Sequence, residues 1–112
     1  YDIYKQIGRE IYVTDAKSIF TNDFLLGAYY DASLKFFGNW EYAEGAFNQS
    51  KPVDLVILDM CGTPCNPSDE LCSSGYYKNR TIEVIEADGF KLRTKLTYSF
   101  DNRKCDYLVF KK

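Results

Sequence analysis

The chain has 112 residues, a formal net charge of −2 with both signs dispersed, and a 17% aromatic content dominated by Tyr and Phe. This length fits one domain over residues 1–112 with a modest core, and the charge excludes a field that would draw nucleic acid or an anionic membrane. No apolar run approaches a membrane span, and with no His in the sequence the ordinary Ser-His-Asp and Cys-His nucleophiles are absent.

Residues 1–7 place Ile3 and Ile7 four apart ahead of Gly8, which predicts a short N-terminal helical turn ended by glycine. Residues 10–20 are rich in β-branched and aromatic side chains and predict a first strand, closed by the turn signal Thr21-Asn22-Asp23. Residues 24–37 set Tyr30, Ala32, Leu34 and Phe36 against Asp31, Ser33 and Lys35, a partial alternation that predicts a second strand. Gly38-Asn39 turns the chain, and residues 40–47 read as a third strand. After a loop at 48–52, residues 53–60 form the most apolar run. Periodicity alone leaves a helix open there, but Pro52 in front and Cys-Gly-Thr-Pro behind favour a strand buried on both faces.

Residues 62–78 read as a long loop pinned by cysteines, with the polar, acidic tip Pro67-Ser68-Asp69-Glu70. Residues 79–86 predict a strand and Asp88-Gly89 a tight hairpin turn. The clearest pattern follows. Phe90, Leu92, Thr94, Leu96, Tyr98 and Phe100 alternate with Lys91, Arg93, Lys95, Thr97 and Ser99, so one face is buried and one wet. A turn at 101–104 and a strand at 105–110 complete an expected three-strand meander, and the chain as a whole reads as all-β.

Four cysteines, Cys61, Cys65, Cys72 and Cys105, suggest two disulfides in a chain this short. The sequons Asn48-Gln49-Ser50 and Asn79-Arg80-Thr81 offer glycosylation at Asn48 and Asn79. Together they favour an oxidising, extracellular setting, and without a leader the chain is expected to be a mature secreted form. The rival reading, zinc, lacks the paired C-x2-C spacing and any His, so no metal is expected. Three pairings exist. A local bridge within 61–72 with a long bridge to Cys105 is favoured, its partners open; closing roughly 30–40 residues would be worth about 3–4 kcal/mol on the chain-entropy model. No phosphate-cradling glycine loop is present and no cofactor is expected. No catalytic residue is expected either: Glu83 and Glu86, three apart in a strand, would face opposite ways.

The segment Lys95-Leu96-Thr97-Tyr98-Ser99-Phe100-Asp101-Asn102-Arg103-Lys104-Cys105-Asp106-Tyr107-Leu108-Val109 runs an aromatic-rich strand through a polar turn into Cys-Asp and an apolar strand. It resembles the late strands of tick salivary lipocalins. The opening is also similar, with a helical turn leading to Glu10-Ile11-Tyr12-Val13 and a strand end near Thr21-Asn22-Asp23, and Asp88-Gly89 sits where that family places a hairpin. The resemblance implies an antiparallel up-and-down lipocalin-like barrel with the N-terminal turn at its mouth, here a shortened form of about seven strands. It implies secretion in saliva and interference with host inflammation, clotting or complement. Family members bind a small mediator (histamine, serotonin, an eicosanoid or a fatty acid) inside the barrel, or a host protein through outer loops.

Two site readings follow, both of a non-enzymatic monomer. In the first, surface loops grip a host protein such as a complement or inflammatory component, with Trp40, Tyr42, Pro67, Asp69, Glu70, Tyr76 and Tyr77 as candidate contacts, because aromatic anchors dominate interfaces. In the second, the domain scavenges a small mediator. A cationic amine needs a desolvated carboxylate and aromatic walls, and Asp31, Glu41, Asp59, Tyr98 and Phe100 are the candidates. Against these stand plainer roles: Trp40 as core, the carboxylates as solvent-facing charges, and the whole as a structural β domain without a ligand.

Overall fold

Ile3, Ile7 and Ile11 recur every fourth residue, and helix α1 (Asp2–Thr14) forms around that stripe with all three buried. The computed structural model describes residues 2–30, 32–63 and 65–112. Beyond α1 come strands β1 (Ser18–Thr21) and β2 (Ser33–Phe36), with helix α2 (Leu26–Tyr29) between them. A 3-10 turn (Trp40–Tyr42) and helix α3 (Ala43–Ser50) lead to β3 (Leu55–Asp59). Helices α4 (Glu70–Ser73) and α5 (Tyr76–Ala87) precede the final hairpin, β4 (Lys91–Phe100) and β5 (Arg103–Lys111).

The strands make one open five-stranded sheet in the order β2-β1-β3-β5-β4. β1 runs parallel to both β2 and β3, while β5 is antiparallel to β3 and to β4. This mixed α/β architecture overturns the expected all-β, up-and-down lipocalin-like barrel. The physical reason lies in β3. All five of its residues are buried; Val56 and Leu58 join the core on one face, Leu55 and Ile57 the core on the other. A strand apolar on both sides requires a layer on each. Trp40, Phe47 and Ile85 cover one face from the 3-10 turn, α3 and α5. Ile3, Ile7, Ile11 and Leu26 cover the other from α1 and α2.

Several sequence-based expectations change accordingly. The first strand at 10–20 is split, because residues 10–14 extend α1 and only Ser18–Thr21 is extended. The second at 24–37 contains α2 as well as β2. The third, at 40–47, is a 3-10 turn and helix that bury Trp40, Ala43 and Phe47. The strand expected at 79–86 is the body of α5, where Thr81 and Ile85, four apart, face the sheet. Asp88-Gly89 is no hairpin turn; it ends α5, with Gly89 at φ +99°. The N-terminal turn continues through Gly8, which is glycine because a Cβ there would lie 2.6 Å from the Tyr30 hydroxyl. The long 62–78 loop holds α4, capped by Asp69, whose Oδ1 accepts the Leu71 and Cys72 amides at 3.1 and 3.2 Å.

Other expectations hold. Residues 55–59 are the doubly buried strand. The β4–β5 hairpin replaces the meander but keeps its last two strands, turning at Asp101 and Asn102, both at positive φ (54° and 64°). Two disulfides form, one local and one long: Cys65–Cys72 and Cys61–Cys105. The long bridge spans 44 residues and ties the exit of β3 to β5.

Candidate functional site

From β1 the chain passes to β2 on one side, and β3 then pairs with β1 on its other side. The carboxyl ends of β1 and β3 therefore flank the point where strand order reverses, the crevice in which open α/β sheets hold their ligands. Each of these two strands ends on a buried acid: Asp59 closes β3, and Asp23 follows β1 by two residues, with fractional exposures of 7% and 8%.

Asn22 joins the two ends. Its side-chain amide donates to the Asp59 carbonyl at 2.8 Å and its Oδ1 accepts the Asp59 amide at 2.8 Å, continuing the backbone ladder with a side chain. The same amide donates to Thr63 Oγ1 at 2.9 Å. Asp23 is held by the Tyr107 hydroxyl at 2.6 Å and the Tyr4 hydroxyl at 2.9 Å, both on Oδ2, and by the Leu25 amide at 3.0 Å on Oδ1. Asp59 Oδ1 accepts the Tyr98 hydroxyl at 3.0 Å and the Cys61 amide at 3.1 Å. A Cβ at Gly62 would collide with Asp59 Oδ2, so glycine there leaves that oxygen its room.

Above the acids opens a cleft of about 580 Å³ between the start of α1 and the β4–β5 hairpin. Tyr4, Tyr98 and Tyr107 wall it, Asp59 lies at its foot, Asp2, Gln6, Thr97 and Ser99 line it, and Ile3, Leu25 and Phe100 supply its apolar surface. The Tyr98 and Tyr107 rings are 5.4 Å apart. Among the described residues no Lys or Arg lines the cleft and no ion pair involves Asp23 or Asp59.

Burial raises Asp59 above the ordinary carboxylate value, with the Asp23 charge adding to the rise; the Cys61 amide and the Tyr98 and Tyr107 hydroxyls act against it. Burial also pushes the Tyr4 hydroxyl up to about 12, and raises Tyr98 and Tyr107 further still, with the neighbouring carboxylates contributing to each. The tyrosines therefore stay neutral donors at physiological pH.

Of the residues expected to hold a small ligand, Asp59, Tyr98 and Phe100 converge in this cleft. Glu41 does not; it lines a separate pocket of about 200 Å³ with Asn39, Trp40, Asn66, Asp69 and Cys72. Asp31 lies outside the described residues. Sequence reasoning missed Asp23, Tyr4 and Tyr107. The available signal was positional: Asp23 follows an apolar strand as Asp59 does, yet Thr21-Asn22-Asp23 reads as a turn.

The expected protein contacts gather on another face. Tyr42 and Tyr76 are exposed and Tyr77 half-buried, the last two with rings 5.5 Å apart. Burial and then the charges of Asp69 and Glu41 push the Tyr77 hydroxyl up, with Tyr76 and Tyr42 acting on it too. Pro67 and Glu70 are exposed beside the capping Asp69. Trp40 is 2% exposed and packs on Phe37 at 5.1 Å, so its indole is core and not a surface anchor. Asn48 and Asn79 are exposed on α3 and α5, not in loops or strands, and the Thr81 hydroxyl of the second sequon donates to the Tyr77 carbonyl at 2.7 Å. No protein-family model, no curated protein and no solved structure matches this chain.

Proposed function

We propose that this chain is a secreted, non-enzymatic binding domain whose ligand is a small organic cation seated against Asp59. The observation that carries the reading is the pair of buried carboxylates, Asp23 and Asp59, that no ion pair offsets among the described residues, beneath a cleft walled by three tyrosines. A buried charge without a countercharge is costly, and a ligand ammonium relieves that cost while tyrosine faces attract it. The cleft volume falls within the range of small-molecule sites. Two disulfides and two exposed sequon asparagines support an extracellular setting. In that setting, withdrawal of a host amine such as histamine or serotonin would counter host defence, the role implied by the resemblance to tick salivary proteins.

Titration calorimetry with histamine and serotonin tests this. The expected result is one-to-one binding that Asp59→Asn abolishes. No binding of any amine, or equal binding by the variant, overturns it.

A second reading, capture of a host protein, is favoured by the exposed Tyr42 and Tyr76, the pairing of the Tyr76 and Tyr77 rings, and the pocket in which Glu41 and Asp69 meet from distant segments of chain. It predicts a plasma component retained by the native protein and released by the double variant Tyr42→Ala, Tyr76→Ala.

A further inference from the structure

We propose that the ligand of the cleft is an amphipathic amine, a cationic head on an apolar tail; this rests on the cation-binding reading above. The cleft is chemically graded. Its foot holds Asp59 and the hydroxyls of Tyr4, Tyr98 and Tyr107, all hydrogen-bonded to one carboxylate or the other. Its remaining walls carry Ile3, Leu25 and Phe100. Leu25 is 44% and Phe100 61% exposed, large apolar side chains left in water on the same cleft. Phe24, next to Leu25 in the chain, is also exposed and packs edge-on against the exposed Phe36 with ring centroids 6.1 Å apart. A bare ammonium would neutralise the foot and leave Leu25 and Phe100 wet. A ligand with a hydrocarbon chain removes both from water.

Charge sets the polarity of the head. Among the described residues, Asp2 and Asp59 line the cleft and no Lys or Arg does, while Asp23 is hydrogen-bonded to Tyr4 and Tyr107. A fatty carboxylate would meet like charge at the foot, where Asp59 is itself buried. The tail alone therefore does not define the ligand; the head has to be cationic.

The test is titration of n-butylamine, n-octylamine and octanoate, each below its micellar concentration, into the native protein and into Leu25→Ser and Phe100→Ser. Burying each added methylene tightens binding roughly threefold to fourfold. Octylamine is expected to bind at least tenfold more tightly than butylamine, octanoate not to bind, and both variants to shrink the octylamine-to-butylamine ratio towards one. Both substitutions sit at exposed positions, so the fold is expected to survive them, and circular dichroism checks that it does. Equal affinity for the two amines, or a ratio that neither variant changes, overturns the tail and leaves the cation site standing. Tighter binding of octanoate than of octylamine, or no binding by either amine, overturns the head and the proposed function with it.

Discussion

Tyr98 donates its hydroxyl to Asp59 Oδ1 at 3.0 Å, joining the outermost strand of the sheet to the carboxyl end of its central strand. That bond gives the cleft its floor and its far wall in one contact. Tyr98→Phe removes the donor and leaves a largely buried carboxylate oxygen one partner short. We expect a loss of about 1–2 kcal/mol in urea unfolding, and a further rise in the pH at which Asp59 ionises, read by carboxyl-carbon NMR. An unchanged Asp59 titration would remove Tyr98 from the site.

Burial makes the charge of Asp59 costly to the fold. Unfolded, the group ionises near 3.8; folded, burial holds its proton to higher pH. Between those values the native state binds more protons than the unfolded one, so the contribution of Asp59 to stability is greatest below 3.8 and falls as pH rises through the folded value. Asp59→Asn should flatten this decline, because the amide keeps an acceptor for Tyr98 and Cys61 and carries no charge. Amine affinity should run the other way and strengthen across the same interval, because the ligand needs the ionised carboxylate. Unfolding midpoints measured over a pH series, native against variant, distinguish this from a merely structural acid.

Asp88 titrates in the opposite sense. The Lys51 ammonium at 2.8 Å and Lys112 at 3.2 Å hold its carboxyl below 3.8. Its contribution is present above 3.8 and disappears as pH falls through the folded value. Lys51→Met should therefore weaken the protein at neutral pH and have little effect in strong acid, a difference that the same pH series resolves.

The two disulfides should differ in weight. On the chain-entropy model the 44-residue closure of Cys61–Cys105 is worth about 4 kcal/mol and the 7-residue closure of Cys65–Cys72 about 2 kcal/mol. Paired Cys→Ser variants compared by chemical denaturation should keep that order. Because Cys61 also donates its amide to Asp59, loss of the long bridge should weaken amine binding as well, whereas loss of the short one should not.

Gly8→Ala separates local propensity from packing. Inside a helix the change is worth up to about 1 kcal/mol in favour of Ala. Here the new Cβ would meet the Tyr30 ring and hydroxyl at 2.6–2.8 Å, so we expect the protein to be destabilised by about 1–3 kcal/mol. A raised melting temperature would show that Tyr30 yields freely.

What the residues announced by themselves were the features whose cause is local or countable. Residues 53–60 read as a doubly buried strand because they form the most apolar run of the chain, and 55–59 is that strand. The hairpin of β4 and β5 was legible from strict alternation, and the local-plus-long disulfide arrangement from cysteine spacing. Asp59, Tyr98 and Phe100, which meet in the cleft, are candidates from side-chain chemistry alone, a carboxylate and aromatic walls. Helix or strand at 10–14, 40–47 and 79–86 was not legible. Residues 10–14 and 79–86 are rich in Ile, Val and Thr and residues 40–47 carry Trp, Tyr and Phe, types whose β preference reflects packing on a pleated surface more than any backbone preference. Once β3 demanded cover on both faces, the four-residue recurrence of Ile3, Ile7 and Ile11, and that of Thr81 and Ile85, outweighed it. Only the folded chain could decide that Asp23 and Asp59, far apart in sequence, lie at the carboxyl ends of adjacent parallel strands, with Asp59 in the cleft and Asp23 bonded to two of the tyrosines that wall it. That proximity is set by strand order, and strand order follows from burying two apolar faces at once, which no short stretch of the sequence encodes.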